Sequence, residues 1–497
     1  MVFSRKIKSK TSSPVEPEQK PSGGLGVPAL AALVVSSMIG GGIYSLPQNM
    51  AQGASAGAVL LAWLITGIGI FFIANTFSIL SRIKPDMTTG IYMYAREGFG
   101  PYVGFTIGWS YWLCQVCGNV GYAIITMDAL NYFFPPHFAG GNTLPAIIGG
   151  SLIIWFFNWL VLRGVQQATY INTIGTIVKI VPLALFILIM FFAFKLNVFD
   201  FDFWGEAIQT KAKLGDLSAQ IKSTMLVTLW AFIGIEGAVV MSKRARSQSD
   251  VGRATILGFI GCLIIYILLS LLPYGYMSQA ELAAVPNPST AGILEKIIGK
   301  SGAWLMNIGL LVSVLTSWLA WTMITAEMPQ AAAENGTFPK IFMKENTHNA
   351  PSASLWITSI AMQLFLLLAY FSNNAWNTML SITGVMVLPA YFTSCAYLWK
   401  LCEDGEFSSS TIHRSSALLT SVFGAVYALW LIYAAGLKYL LLAVVIIALG
   451  IPVYVRARKE RQPDERAFTE HEWALASAFI VIAFWALYAF CRAIVTV

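Results

Sequence analysis

The chain has 497 residues, 57% of them hydrophobic and 11% charged, with a mean hydropathy of +0.68. Soluble domains carry about 25% charged residues, so this composition excludes a soluble enzyme and points to a polytopic membrane protein. The net charge of +7 then reads as a matter of membrane topology and not as a nucleic-acid footprint, so no nucleic acid is expected as a partner.

Residues 1–24 are basic and rich in Ser, Pro and Lys, with no apolar run of the kind a cleavable signal needs. They are expected to form a disordered cytoplasmic tail. Thirteen apolar stretches of spanning length follow, at 27–52, 57–80, 101–133, 144–163, 169–195, 222–242, 253–276, 301–328, 352–371, 376–401, 415–436, 437–456 and 472–494. These predict an all-α protein with 12–13 transmembrane helices. With the N-terminus inside, 22 Lys and Arg fall on the cytoplasmic side and eight on the other, which sets the orientation.

The first stretch contains "SSMIGGGIYSLPQNMA" and the sixth "WAFIGIEGA". Each puts glycines and a polar residue at mid-depth, and the two stretches lie five spans apart. A non-helical backbone inside a bilayer is tolerated only where protein or a cavity covers it. Broken helices at matching positions of two halves point to a transporter built from inverted repeats, with its substrate where the helices unwind. The repeats would be 27–195 and 222–401, a 5+5 inverted-repeat core within 25–401, and 402–497 would add further transmembrane helices.

A break at Gly40, Gly41 and Gly42 offers the N–H groups of a restarting helix to an α-carboxylate, with no Cβ in the way. Carbonyls of Met38 and Ile39 in the first span, and of Trp230, Phe232 and Ile233 in the sixth, suit an α-ammonium. A zwitterion is thereby held by backbone alone.

Three ionisable residues fall inside spans, where such residues are functional by default. Glu236 follows the second break and Lys179 lies in "TIVKIVPL". Asp128 points away from the polar stripe of its helix, near one end, and reads as a helix-end or interface carboxylate. That stripe comprises Gln115, Asn119, Tyr122 and Thr126, spaced to share one face. The six cysteines lie mostly inside spans, and "CQVC" at 114–117, with no second pair or histidine partner, reads as packing, so neither disulfide, metal nor cofactor is expected.

Together with "PDMTTGIYMYAREGFGP" and "AAAENGTFPKIF", the two broken segments resemble the amino acid–polyamine–organocation superfamily, specifically its basic amino acid antiporters. The resemblance covers about residues 25–400. The first motif is most similar to the arginine/ornithine antiporters, with the arginine/agmatine antiporters next. The resemblance implies that Trp321, 18 residues before Pro339, stacks on the cationic end of the substrate, for which indole is the best neutral platform. It also implies that Asn119 hydrogen-bonds a guanidinium, with Gln115 standing where agmatine exchangers carry a smaller residue. Thr383, placed by Pro389, is a further substrate residue on the same ground. Glu236 would sense protonation or gate the inner side, and Lys179 would fill the place of a sodium ion.

The expected function is therefore sodium-independent exchange of arginine for a related cationic product, ornithine or agmatine, by alternating access in the bacterial inner membrane. Trp230, Trp321 and Phe232 would wall the site. The partners would be cationic amino acids or amines and the lipid bilayer, with a homodimer as a candidate assembly. The rival reading is a proton-coupled symporter of broader, neutral or aromatic specificity. An enzyme is disfavoured, because none of His137, His348, His413 and His471 lies at mid-membrane to pair with a nucleophile.

Overall fold

The structure is a computed structural model that describes residues 26–87, 91–236, 246–408 and 412–492. The expected tail, residues 88–90 within "PDMTTGIYMYAREGFGP" and residues 237–245, which begin with the last two residues of "WAFIGIEGA", lie outside these. Among the described residues ten helices are long and apolar enough to cross a membrane, and eleven with one bent pair. Of the other two expected spans, 169–195 falls on a helix Val165–Ala193. The span 222–242 runs on past the described residues.

The first span is broken as the glycines predict. Helix α1 (Val27–Met38) starts with a proline in its first turn and ends where Ile39 and Gly40 turn extended. A 3-10 turn, Gly41–Ser45, leads into α2 (Leu46–Ala51), and the two halves are bent by 56°. Then come α3 (Ala56–Ile83), α4 (Tyr92–Phe99), α5 (Pro101–Asn131), α6 (Leu144–Leu162) and α7 (Val165–Ala193).

Helix α8 (Leu217–Ala231) opens on Asp216, whose carboxylate accepts the Ala219 N–H at 2.9 Å, a capping contact that satisfies a free donor of the first turn. It stops at Ala231, and Phe232–Glu236 form turns. Next are α9 (Gln248–Leu271), α10 (Lys300–Glu334), α11 (Ser352–Ala369), α12 (Ala375–Glu403), α13 (Arg414–Ala435), α14 (Leu437–Ala448), α15 (Ile451–Arg461) and α16 (Glu470–Cys491). Helix α10 outruns its expected end at 328 because the Ala-rich run at 331–333 carries the helix on.

The most extensive helix pairing is α5 with α12, and α10 packs on both α5 and α7. Helices α5, α10 and α12 are largely buried, whereas α6, α11 and α16 turn much of their apolar surface outward, as lipid-facing helices do. The described parts of the second and fourth motifs meet at one end. There Arg96 Nη1 donates to the carbonyl and the Oδ1 of Asn335, at 2.6 and 2.9 Å. Lys400 Nζ donates to the Gly98 carbonyl at 2.8 Å and Arg461 Nη2 to the Ala333 carbonyl at 2.6 Å.

Candidate functional site

The two helix breaks touch. Ser37 Oγ, one residue from the end of α1, donates to the Gly234 carbonyl at 2.7 Å. Gly234 has φ +105°, which only glycine adopts at low cost. A Cβ there would also sit 2.8 Å from the Ser37 carbonyl oxygen. The three glycines of the first break all lack the positive φ that would demand glycine. Their reason is close approach: a Cβ on Gly42 would strike the Trp230 ring, one on Gly41 the Val314 side chain, and one on Gly40 would come 2.5 Å from Tyr122 Oη.

Beside the breaks is a small cavity between α1, α5, α8, α10 and α12. Of the expected substrate residues, Met38, Gly40, Gln115 and Asn119 line it, as do Trp230, Ile233, Trp321 and Thr383. Ser37, Cys114, Gly118 and Tyr122 complete the wall. Tyr122 was legible on the stripe of Asn119, and Ser37 as the polar neighbour of the break. Cys114, read as packing, lines the cavity while its Sγ donates to the Thr383 carbonyl at 3.3 Å.

Ile39, Gly41 and Gly42 are buried outside the cavity wall. Phe232 is also elsewhere: its ring packs edge-on against Trp63 and Tyr266, at 6.2 and 5.3 Å between centroids, and tilted on Phe259. The break carbonyls already take part in local turns. Met38 accepts the Gly40 N–H at 3.1 Å, Trp230 that of Ile233 at 3.2 Å and Phe232 that of Ile235 at 3.1 Å, which leaves each a second lone pair.

The polar side chains of the cavity are incompletely paired. Asn119 Nδ2 donates to the Gln115 carbonyl at 2.8 Å and to Thr325 Oγ1 at 3.1 Å. Its Oδ1 is buried without a partner, as are Oε1 and Nε2 of Gln115 and Oγ1 of Thr383. Buried polar atoms are ordinarily hydrogen-bonded, so four orphans in one cavity mark a place for a polar guest.

Lys179 and Glu236 stand outside the cavity wall and are enclosed by protein, each 1% exposed. Lys179 Nζ donates to the carbonyl of Ser36 at 2.7 Å, to its Oγ at 2.9 Å and to Ser317 Oγ at 3.4 Å. One ammonium thus ties α7 to the end of α1 and to α10. Glu236 accepts from Tyr111 Oη at 2.6 Å, Tyr391 Oη at 3.0 Å and the Gly234 N–H at 3.2 Å. It ties the second break to α5 and α12. Asp128, at the far end of α5, accepts the Gly140 N–H at 2.8 Å.

The chain is 61% identical over 467 residues to an arginine/agmatine antiporter of Chlamydia abortus, covering 94% of this chain and 96% of that one. It is 63% identical over 456 residues to that of Chlamydia pneumoniae, covering 91% and 94%. The arginine/agmatine antiporter of Chlamydia trachomatis serovar L2 is 58% identical over 467 residues, covering 94% and 96%. Residues 25–436 match the amino acid permease family, and the chain belongs to that family of membrane transporters.

Proposed function

We propose that the protein exchanges arginine for agmatine by alternating access, independently of sodium, in the bacterial inner membrane. The observation that carries this reading is the group of orphaned polar atoms of Gln115, Asn119 and Thr383 in the same cavity as Trp321. Three of the four are acceptors, and a guanidinium has five N–H donors and no acceptor. The Trp321 indole supplies the π face on which such a cation stacks. Agmatine stands in the names of the relatives, and it therefore takes precedence over ornithine, which the first motif favoured.

The contact of the two breaks through Ser37 and Gly234 supports a 5+5 inverted-repeat core, with repeats at 27–195 and 222–401. The hydrogen bonds of Lys179 to Ser36 and Ser317 support an ammonium in the place of a sodium ion. Arg96, Lys400 and Arg461 gather at one end, which supports that end, and with it the N-terminus, as cytoplasmic.

Counterflow in proteoliposomes tests the reading. Labelled arginine should enter vesicles loaded with agmatine and not empty ones, with ornithine and lysine as parallel internal loads. Uptake into empty vesicles driven by a proton gradient, and competed by leucine, would favour the symporter instead.

A further inference from the structure

A second cavity, of about 490 Å³, opens toward the end of the molecule opposite the one that holds Arg96, Lys400 and Arg461. The end of α2, the first turns of α8 and α12 and the corner between α13 and α14 surround it. It adjoins the central cavity: Leu226 and Val227 line it one helical turn before Trp230, which lines the other. On α12, Ser381 and Thr383 divide in the same way. A substrate arriving from this side reaches this chamber before the central cavity.

Among the described residues, Lys222 is the one charged side chain on its wall. Among the described residues it forms no salt bridge. Its Nζ rests 4.1 Å from the centre of the Tyr433 ring, a contact that holds an ammonium without neutralising it. Asn49, 6% exposed, lines the same chamber with an Oδ1 that has no partner. Its neighbours are occupied: Asn377 Nδ2 donates to Gln52 Oε1 at 3.2 Å, and Ser223 Oγ to the Gly53 carbonyl at 2.8 Å. The chamber thus offers an unneutralised cation and a buried acceptor without a partner.

We propose that this chamber is a reception site for the head group of an α-amino acid, in which Lys222 takes the α-carboxylate and Asn49 Oδ1 accepts from an N–H of the same molecule. The inference rests on the exchange reading above and names where its two substrates are told apart. Arginine carries a carboxylate and agmatine does not. Agmatine brings only cationic ends to Lys222 and is repelled, so the chamber draws arginine in and hurries agmatine out. Because both charges are partly hydrated, the effect is moderate and falls as salt screens it.

The test is uptake of external arginine, agmatine and arginine methyl ester by intact cells making the wild-type protein, Lys222→Gln or Lys222→Arg. Lys222→Gln should lower kcat/KM for arginine by about threefold or more, through KM, while that for agmatine and the ester stays level or rises. Lys222→Arg should keep the wild-type preference. Raising ionic strength should narrow the wild-type preference for arginine over agmatine, a readout that survives if Lys222→Gln fails to fold. Equal losses for arginine and agmatine, or a wild-type preference indifferent to salt, would overturn the reception site. Absence of arginine/agmatine counterflow in the wild type would overturn the exchange reading itself.

Discussion

Ser37 Oγ and the Gly234 carbonyl, 197 residues apart in the chain, meet at 2.7 Å and close the two helix breaks onto each other. The contact joins the ends of α1 and α8 at the depth where the central cavity opens. It depends on the φ of +105° at Gly234.

Gly234→Ala should therefore destabilise the protein by about 1–3 kcal/mol, through backbone strain and the clash with the Ser37 carbonyl. Thermal unfolding in detergent reads this as a lower midpoint. A midpoint equal to wild type would show that the break does not need this conformation.

Replacement of sodium by choline should leave arginine uptake unchanged, because Lys179 already supplies positive charge to the Ser36 carbonyl. Flux measured in matched sodium and choline buffers decides the point. A collapse of uptake in choline would remove Lys179 from that role.

Trp321→Leu should weaken arginine binding by about 1–2 kcal/mol through loss of the cation–π contact, with folding preserved. Calorimetry on the detergent-solubilised protein measures it. An unchanged Kd would shift recognition to Asn119 and Gln115.

Gln115→Met should separate stability from binding. The wild-type amide is buried with neither polar atom paired, so an apolar side chain of similar length should raise ligand-free stability by about 1 kcal/mol. Arginine affinity should fall in the same variant. A variant both less stable and unaltered in affinity would mean that the amide has a partner in the ligand-free protein.

Glu236→Gln should still bind arginine but lose or shift the pH dependence of exchange. Both carboxylate oxygens are taken by tyrosine hydroxyls and the Gly234 N–H, and Glu236 does not line the cavity, so a role in gating fits better than ligation. Calorimetry and flux on the same variant across pH 5–8 separate the two, and lost binding with normal folding would defeat the gating role.

Apolar runs of spanning length, glycines within them and charges at mid-depth are one-dimensional signals, because lipid penalises every exposed polar group wherever the segment lies. They were enough to locate the break at Gly40, Gly41 and Gly42, a second break within "WAFIGIEGA" and the two ionisable residues Lys179 and Glu236 inside spans. Helical spacing likewise grouped Gln115 with Asn119 on one face. Spacing along a helix, however, names a face and not the neighbour it meets, and at a break the helical phase is lost. Only the tertiary structure paired Lys179 with Ser36 and Ser317, and Glu236 with Tyr111 and Tyr391. It also turned the Phe232 ring into a cluster with Trp63 and Tyr266, and it placed Lys222, indistinguishable in sequence from any lysine at a helix end, on the wall of a chamber. Those outcomes depend on contacts between segments far apart in the chain, which packing settles after each segment's own preferences have been met.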